Sequence, residues 1–300
     1  MSQRTPVIET TRRAWLGAVG ACSLALAWPL GARASTVPVA RRLVSVGGAL
    51  TEVVYALGAE AQLVATDTTS LFPTAATQTP KVGYLRQLSA EGVLSLKPDA
   101  LICTGEAGPA LVLDQLRAAG VPVHLVPTSH DFTEVLRKVA LVASVTGRTA
   151  EGQALAAQLQ RRWEGVTAQV AEDGRHRAKP KALFILAHSG TPMVAGRGTA
   201  ADALLRLAGA DNVVQQFEGY RPLTAEAMAA VAPQVIVNSQ QGIDAMGGVA
   251  AFWQRPELAL TPAFARKALV TMEASHLLGF GPRMPEAVQT LHTQLLQATA

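Results

Sequence analysis

The sequence states one segment twice, 135 positions apart, and this constrains the fold more than any other feature: Arg86-Gln87-Leu88-Ser89-Ala90-Glu91 returns as Arg221-Pro222-Leu223-Thr224-Ala225-Glu226. Each copy has a proline seven residues beyond its glutamate, Pro98 and Pro233, followed by an apolar run. Each therefore predicts loop, helix, then strand. Ser89 or Thr224 can cap the helix, and the glutamate lies in the first turn, where the dipole favours an anion. The proline stops the helix before Ala100-Leu101-Ile102 or Val235-Ile236-Val237. A period this long is no solenoid; it predicts two similar lobes. The matched loops then face one another across a cleft lined by Gly83-Tyr84-Leu85-Arg86 and Gly219-Tyr220-Arg221.

From Arg41 onward, short apolar runs alternate with amphipathic helical segments. Leu43 to Val46, Leu63 to Thr66, Ala100 to Ile102 and Val121 to Val126 enclose helices such as Thr51 to Leu57 and Leu111 to Ala119. The pattern resumes at Ala182 to Leu186, continues through Val235 to Asn238 and Ala268 to Thr271, and ends in a helix from Pro285 to about Gln297. Such alternation predicts parallel strands with crossover helices, so the fold class is α/β with two lobes. Residues 38–148 form the first lobe and 179–300 the second. A helix over 149–174 joins them and makes a stiff hinge that flexes by a few degrees.

The N-terminus is not part of that core. Thr11-Arg12-Arg13-Ala14-Trp15-Leu16 precedes an apolar run to Leu30, and Ala32-Arg33-Ala34 is an A-x-A cleavage pattern. Residues 1–34 look like a twin-arginine export signal cleaved near Ala34. The run contains Pro29 and is too short for a spanning helix, which needs roughly 20 residues. A lipoprotein-type cleavage before Cys22 is the competing reading. Removing residues 1–34 takes away four arginines and one glutamate, leaving 22 basic against 21 acidic side chains, so the basic balance implies no nucleic-acid partner. Cys103 is then the remaining cysteine, without a partner in the chain, and its apolar run makes it a buried, inert thiol.

An exported α/β chain of this kind, with Val82-Gly83-Tyr84-Leu85-Arg86 leading into Ser89-Ala90-Glu91 and Pro98-Asp99, and with Gly196-Arg197-Gly198-Thr199-Ala200-Ala201-Asp202, resembles the periplasmic haem-binding proteins of bacterial haem ABC importers. The resemblance spans roughly residues 40–297. It implies a class III periplasmic binding protein: two α/β lobes with parallel sheets joined by one long backbone helix. It also implies ferric haem as the carried ligand, an importer permease with its ATPase as partner, and a monomer that meets the inner membrane only through the permease. Tyr84 occupies the position of the iron-ligating tyrosine. A phenolate is a hard ligand suited to ferric haem, and a guanidinium two residues away, on Arg86, favours that anion. Tyr220 is the counterpart in the second copy, expected at the porphyrin edge. Arg221 and Arg283 are candidates for the haem propionates. His188, after the first strand of the second lobe, is a possible second iron ligand. Glu91 and Glu226, one per lobe, are expected to meet arginines of the permease.

Siderophore and cobalamin carriers share the wider class and remain alternative ligands. From another class, an exported oxidoreductase is the rival, because Gly196-Arg197-Gly198-Thr199-Ala200-Ala201 satisfies G-x-G-x-x-A with Glu218 twenty residues past Gly198. A hydrolase fits poorly, since Ser189 lacks a G-x-S-x-G elbow and no H-E-x-x-H occurs.

Overall fold

The repeat is structural as well as textual in the computed structural model, which describes residues 39–187, 191–222 and 224–300. Helices begin at Ala90 and Ala225 and strands at Ala100 and Val235, both pairs at the 135-residue offset. Before each proline stands a left-handed residue, Lys97 at φ 48° and Ala232 at φ 43°. Right-handed helix is disfavoured ahead of proline, and a left-handed residue ends a helix cleanly. Ser89 caps its helix as predicted, accepting from the Gly92 amide at 3.3 Å.

In the first lobe β1 (Leu43–Val46), α1 (Gly48–Ala56), β2 (Leu63–Thr66), α2 (Ala90–Leu94), β3 (Ala100–Thr104), α3 (Ala110–Ala118), β4 (Val123–Val126) and α4 (Phe132–Thr146) follow in order. The sheet order is β2-β1-β3-β4, all parallel. Next comes α5 (Thr149–His176), 28 residues or about 42 Å of helix. The second lobe holds β5 (Lys181–Leu186), β6 (Met193–Ala195), α6 (Ala200–Leu207), β7 (Asp211–Asn212), β8 (Tyr220–Pro222), α7 (Ala225–Val231), β9 (Val235–Ser239), α8 (Gln240–Ala245), α9 (Gly248–Phe252), α10 (Pro262–Arg266), β10 (Leu269–Met272), α11 (Ala274–Leu278) and α12 (Met284–Thr299). Its parallel part runs β7-β5-β9-β10, the same order as in the first lobe.

The second sheet carries an antiparallel extension beside the expected parallel strands. β6 lies antiparallel to β5, and β8 antiparallel to β6. The link from β5 to β6 is too short to carry a crossover helix, so the chain can only return alongside. This extension carries Tyr220 and Arg221 to the edge of the second lobe.

Strand alternation sorts side chains into three clusters. Leu43 and Ile102 in the first lobe, and Phe184, Val235 and Val237 in the second, face one continuous core together with Val135, Leu159, Val166 and Leu291. Val44, Leu101 and Cys103 face an outer cluster of the first lobe; Leu183, Ile185 and Ile236 face one of the second. The lobes thus share a core through α4, α5 and α12. Gly152 lets α5 approach α4: a Cβ there would stand 2.4 Å from Ala143 Cβ. Cys103 is fully buried, and burial pushes its thiol up to about 12, matching the inert reading.

A buried polar clasp adds to this. Lys138 on α4 is 2% exposed in its side chain and pairs with Glu134 at 2.7 Å. It also donates to the Gly279 and Phe280 carbonyls of the second lobe, at 3.3 and 2.9 Å. Three acceptors match the three donors of an ammonium. Burial lowers the lysine pKa and Glu134 only partly offsets it. For Glu134 burial works upward, but the Lys138 charge and the Ser129 and His130 amides outweigh it, and the net shift is downward. A depressed carboxyl stabilises the fold above its unfolded value, near 4.5, and that contribution fades as pH falls through the folded value. Thermal midpoints are accordingly expected to decline as pH drops below about 4.5. A midpoint flat through that window would contradict the ionised pair.

Candidate functional site

Parallel strands place ligands beyond their carboxyl ends. In the first lobe that edge is built by three loops. The segment after β2 is fixed by Asp67, fully buried, which accepts from the Gly47 amide (2.9 Å), the Ser70 hydroxyl (2.9 Å) and the Thr69 amide and hydroxyl (3.0 and 2.6 Å). Yet this rigid loop ends in Leu71 and Phe72, 48% and 43% exposed. Next to it, the Thr68 amide donates to the Gly83 carbonyl at 2.9 Å. Gly83 takes φ 98°, a turn that suits glycine, and delivers Tyr84. Leu85 and Leu88 are buried anchors, and the 85–88 backbone is stitched to Gly108. Tyr84 and Arg86 therefore project outward, and Tyr84 is 41% exposed.

Across the gap, β8 sends Tyr220 and Arg221 to opposite faces. Tyr220 packs against the shared core. Burial raises its phenol pKa above 10; a Thr199 hydrogen bond opposes that, Glu106 adds to it, and Arg86 opposes it. The two lobes meet along this edge, where Arg283 of the second reaches Glu52 and Phe72 of the first. The two phenols differ: Tyr220 is half-buried against the core, which favours its neutral form, whereas Tyr84 is exposed. Arg221 is exposed, its guanidinium 4.6 Å over the Phe217 ring, and it forms no ion pair among the described residues.

Two arginines differ from expectation. Arg86 pairs with Glu106 at 2.9 Å, both more than 40% exposed, so its charge is directed first at a carboxylate rather than at Tyr84. Arg283 presents no open fork for a propionate. Its Nε and Nη2 donate to Glu52 Oε2 and Oε1 at 2.9 and 2.6 Å, and Nη2 also donates to Ser275 Oγ at 3.1 Å. The guanidinium lies 3.8 Å from the Phe72 ring centre. Burial works to lower the Arg283 pKa, but Glu52 outweighs it and the net shift is upward. For Glu52 burial raises the carboxyl, and Arg283 only partly offsets it. The two directions disagree; two N–H bonds accepted by both oxygens favour the ionised pair.

His188, Cys22 and the export signal fall outside the described residues. Glu91 and Glu226 are both exposed in first helical turns, and neither forms an ion pair among the described residues. The glycine-rich motif does open a helix, α6, after β6. However, Thr199 and the buried Asp202 occupy its N-terminus, where Thr199 Oγ1 accepts from the Asp202 amide at 3.1 Å. A carboxylate there leaves no anion cradle for a dinucleotide. Among the described residues no group of three or more His, Cys, Asp or Glu could hold a bare metal ion. A hollow of about 390 Å³ between α5 and α12, lined by Val170, Asp173, Arg177 and His292, lies beside Pro180, at the opposite end of β5 from the cleft.

Leu71, Phe72, Glu52 and Glu106 join the cleft without having been singled out in the sequence. Signals existed for two. Leu71-Phe72 is an apolar pair inside a polar, threonine-rich stretch, and Glu52 is a lone carboxylate heading the apolar run Val53 to Leu57.

Two lobes whose parallel strands share one order, meeting at loops that offer an exposed phenol, an unpaired guanidinium and apolar surface, define a ligand-binding protein. The chain belongs to the periplasmic binding protein family, whose pattern matches residues 43–275. It is similar to the periplasmic heme-binding protein BhuT, solved in complex with two hemes: identity is 43%, the TM-score 0.82, and the match covers 86% of this chain and 99% of that one. It is also similar to the heme-binding protein RhuT from Roseiflexus sp. RS-1 in apo form, with 32% identity, TM-score 0.81, and coverage of 87% and 99%. A vitamin B12-binding protein of Pectobacterium atrosepticum is 25% identical over 293 residues, 94% of each chain.

Proposed function

We propose that this protein is a monomeric, non-enzymatic periplasmic carrier that binds ferric haem in the cleft and hands it to an ABC importer. The observation that carries the proposal is Tyr84: an open phenol on a loop whose backbone is tied to Thr68 and Gly108, beyond the carboxyl ends of the first-lobe strands. A single protein oxygen would suffice for haem iron, because the macrocycle brings its own four nitrogen ligands. Relatives above 30% identity that bind heme support this choice over cobalamin. Arg221, exposed and without a carboxylate partner among the described residues, is the group for a propionate, and Tyr220 can donate its neutral hydroxyl at the ligand's edge. Arg86 is proposed to stay near the iron side as a charge shared with Glu106. His188 is proposed as a further iron ligand. Export is assigned to residues 1–34 as a twin-arginine signal.

Titrating the apoprotein with hemin is expected to give a saturable Soret change, while cyanocobalamin and a ferric siderophore give none. Saturable cobalamin binding without hemin binding would sink the reading. Glu91 and Glu226 are proposed as the contacts to permease arginines. Charge reversal at either is expected to leave the hemin titration unchanged and to slow haem delivery to permease-containing vesicles. Undiminished delivery would reject that role.

A further inference from the structure

The Phe72 ring is an exception in its surroundings. Its loop is tied down by the buried Asp67 network, and Lys81 adds bonds from Nζ to Thr66 Oγ1, the Ser70 carbonyl and the Ala76 carbonyl, at 2.8, 3.1 and 2.9 Å. Such a loop has no need to expose a phenyl group. Nevertheless Phe72 remains 43% exposed, beside the loop of Tyr84, while the Arg283 guanidinium covers part of it from the other lobe at 3.8 Å. Arg283 cannot swing freely. Both carboxylate oxygens of Glu52, a side chain 5% exposed on α1, hold it, and Glu273 stands 3.8 Å away. The neighbouring chain is equally close: a Cβ on Gly281 would lie 3.2 Å from Ala49 Cβ on α1. A guanidinium plane stacks on an aromatic face where an ammonium cannot spread its charge in the same way.

We infer that Phe72 is the apolar platform for a planar macrocycle in the cleft, and that Arg283 is a positioning residue that holds its ring from the second lobe. The inference rests on the haem reading and adds a contact that needs no iron. A flat porphyrin can lie on a phenyl ring; a ligand with bulky axial groups cannot approach it as closely. Phe72 thereby contributes to selecting the ligand by shape, separately from Tyr84, which selects by metal. The Glu52–Arg283 pair, one residue from each lobe, keeps the platform at a fixed spacing from the facing loop.

The test uses hemin and metal-free protoporphyrin IX on the full mature chain. Phe72→Ala is expected to weaken both ligands by about tenfold, the scale of one lost aromatic contact, with the hemin spectrum otherwise unchanged. Tyr84→Phe is expected to weaken hemin alone. Arg283→Lys, which keeps the charge but not the plane, is expected to weaken both porphyrins several-fold in the wild-type background and neither in the Phe72→Ala background, because it acts through Phe72. Should lysine prove too disruptive, Glu52→Leu/Arg283→Met removes the pair together and reads the same coupling. Wild-type affinity for protoporphyrin IX in Phe72→Ala, or additive losses in the double variant, overturns the inference. Wild-type protein that binds neither porphyrin overturns the haem reading along with it.

Discussion

Lys138→Met is expected to destabilise the protein by about 3–5 kcal/mol, the usual cost of stripping one partner from a buried ion pair. For a chain of this size that lowers the thermal midpoint by roughly 10 °C. The substitution keeps most of the side-chain volume, so packing is not the main loss. Glu134, 4% exposed, loses its countercharge, and the Gly279 and Phe280 carbonyls lose their donor. Those carbonyls belong to the second lobe, so the damage falls on the contact between lobes. Calorimetry of Lys138→Met beside Glu134→Gln/Lys138→Met separates the causes. The double variant should recover a good part of the deficit, because no charge remains uncompensated. A single-variant cost under about 1 kcal/mol would mean that the clasp contributes little.

The second large effect concerns the ligand. Tyr84→Phe removes one hydroxyl from an exposed side chain, so stability should change little. Hemin affinity, by contrast, is expected to fall at least about 100-fold, equivalent to about 2.8 kcal/mol, because the iron loses its proposed protein ligand. Tyr220→Phe serves as the matched control. Its phenol is half-buried and raised in pKa, so its loss should trim affinity modestly and leave the iron spectrum alone. Equal losses for the two variants would remove the distinction between the lobes.

Much of this architecture was legible because it is written in local pattern. The repeat at Glu91 and Glu226 announced two lobes, and helix starts, left-handed stops and strand starts keep its spacing. Tyr84 and Arg86 could be read as outward because leucines alternate with them. What stayed hidden depends on distant partners. Arg283 reads as a free cation in sequence, because Glu52 lies 231 residues away and only the fold brings their forks together. Arg86 likewise meets Glu106 through the meeting of two loops. β6 and β8 were missed because three-residue strands carry no usable period. Phe72 carried a signal, an apolar pair in a polar stretch, whose meaning depended on the buried Asp67 beneath it.

The most direct measurement is a crystal structure of the protein loaded with hemin. The prediction is iron bonded to Tyr84 Oη, with the macrocycle between the Tyr84 loop and β8. Haem ligated by another first-lobe residue, or bound outside the cleft, would contradict it.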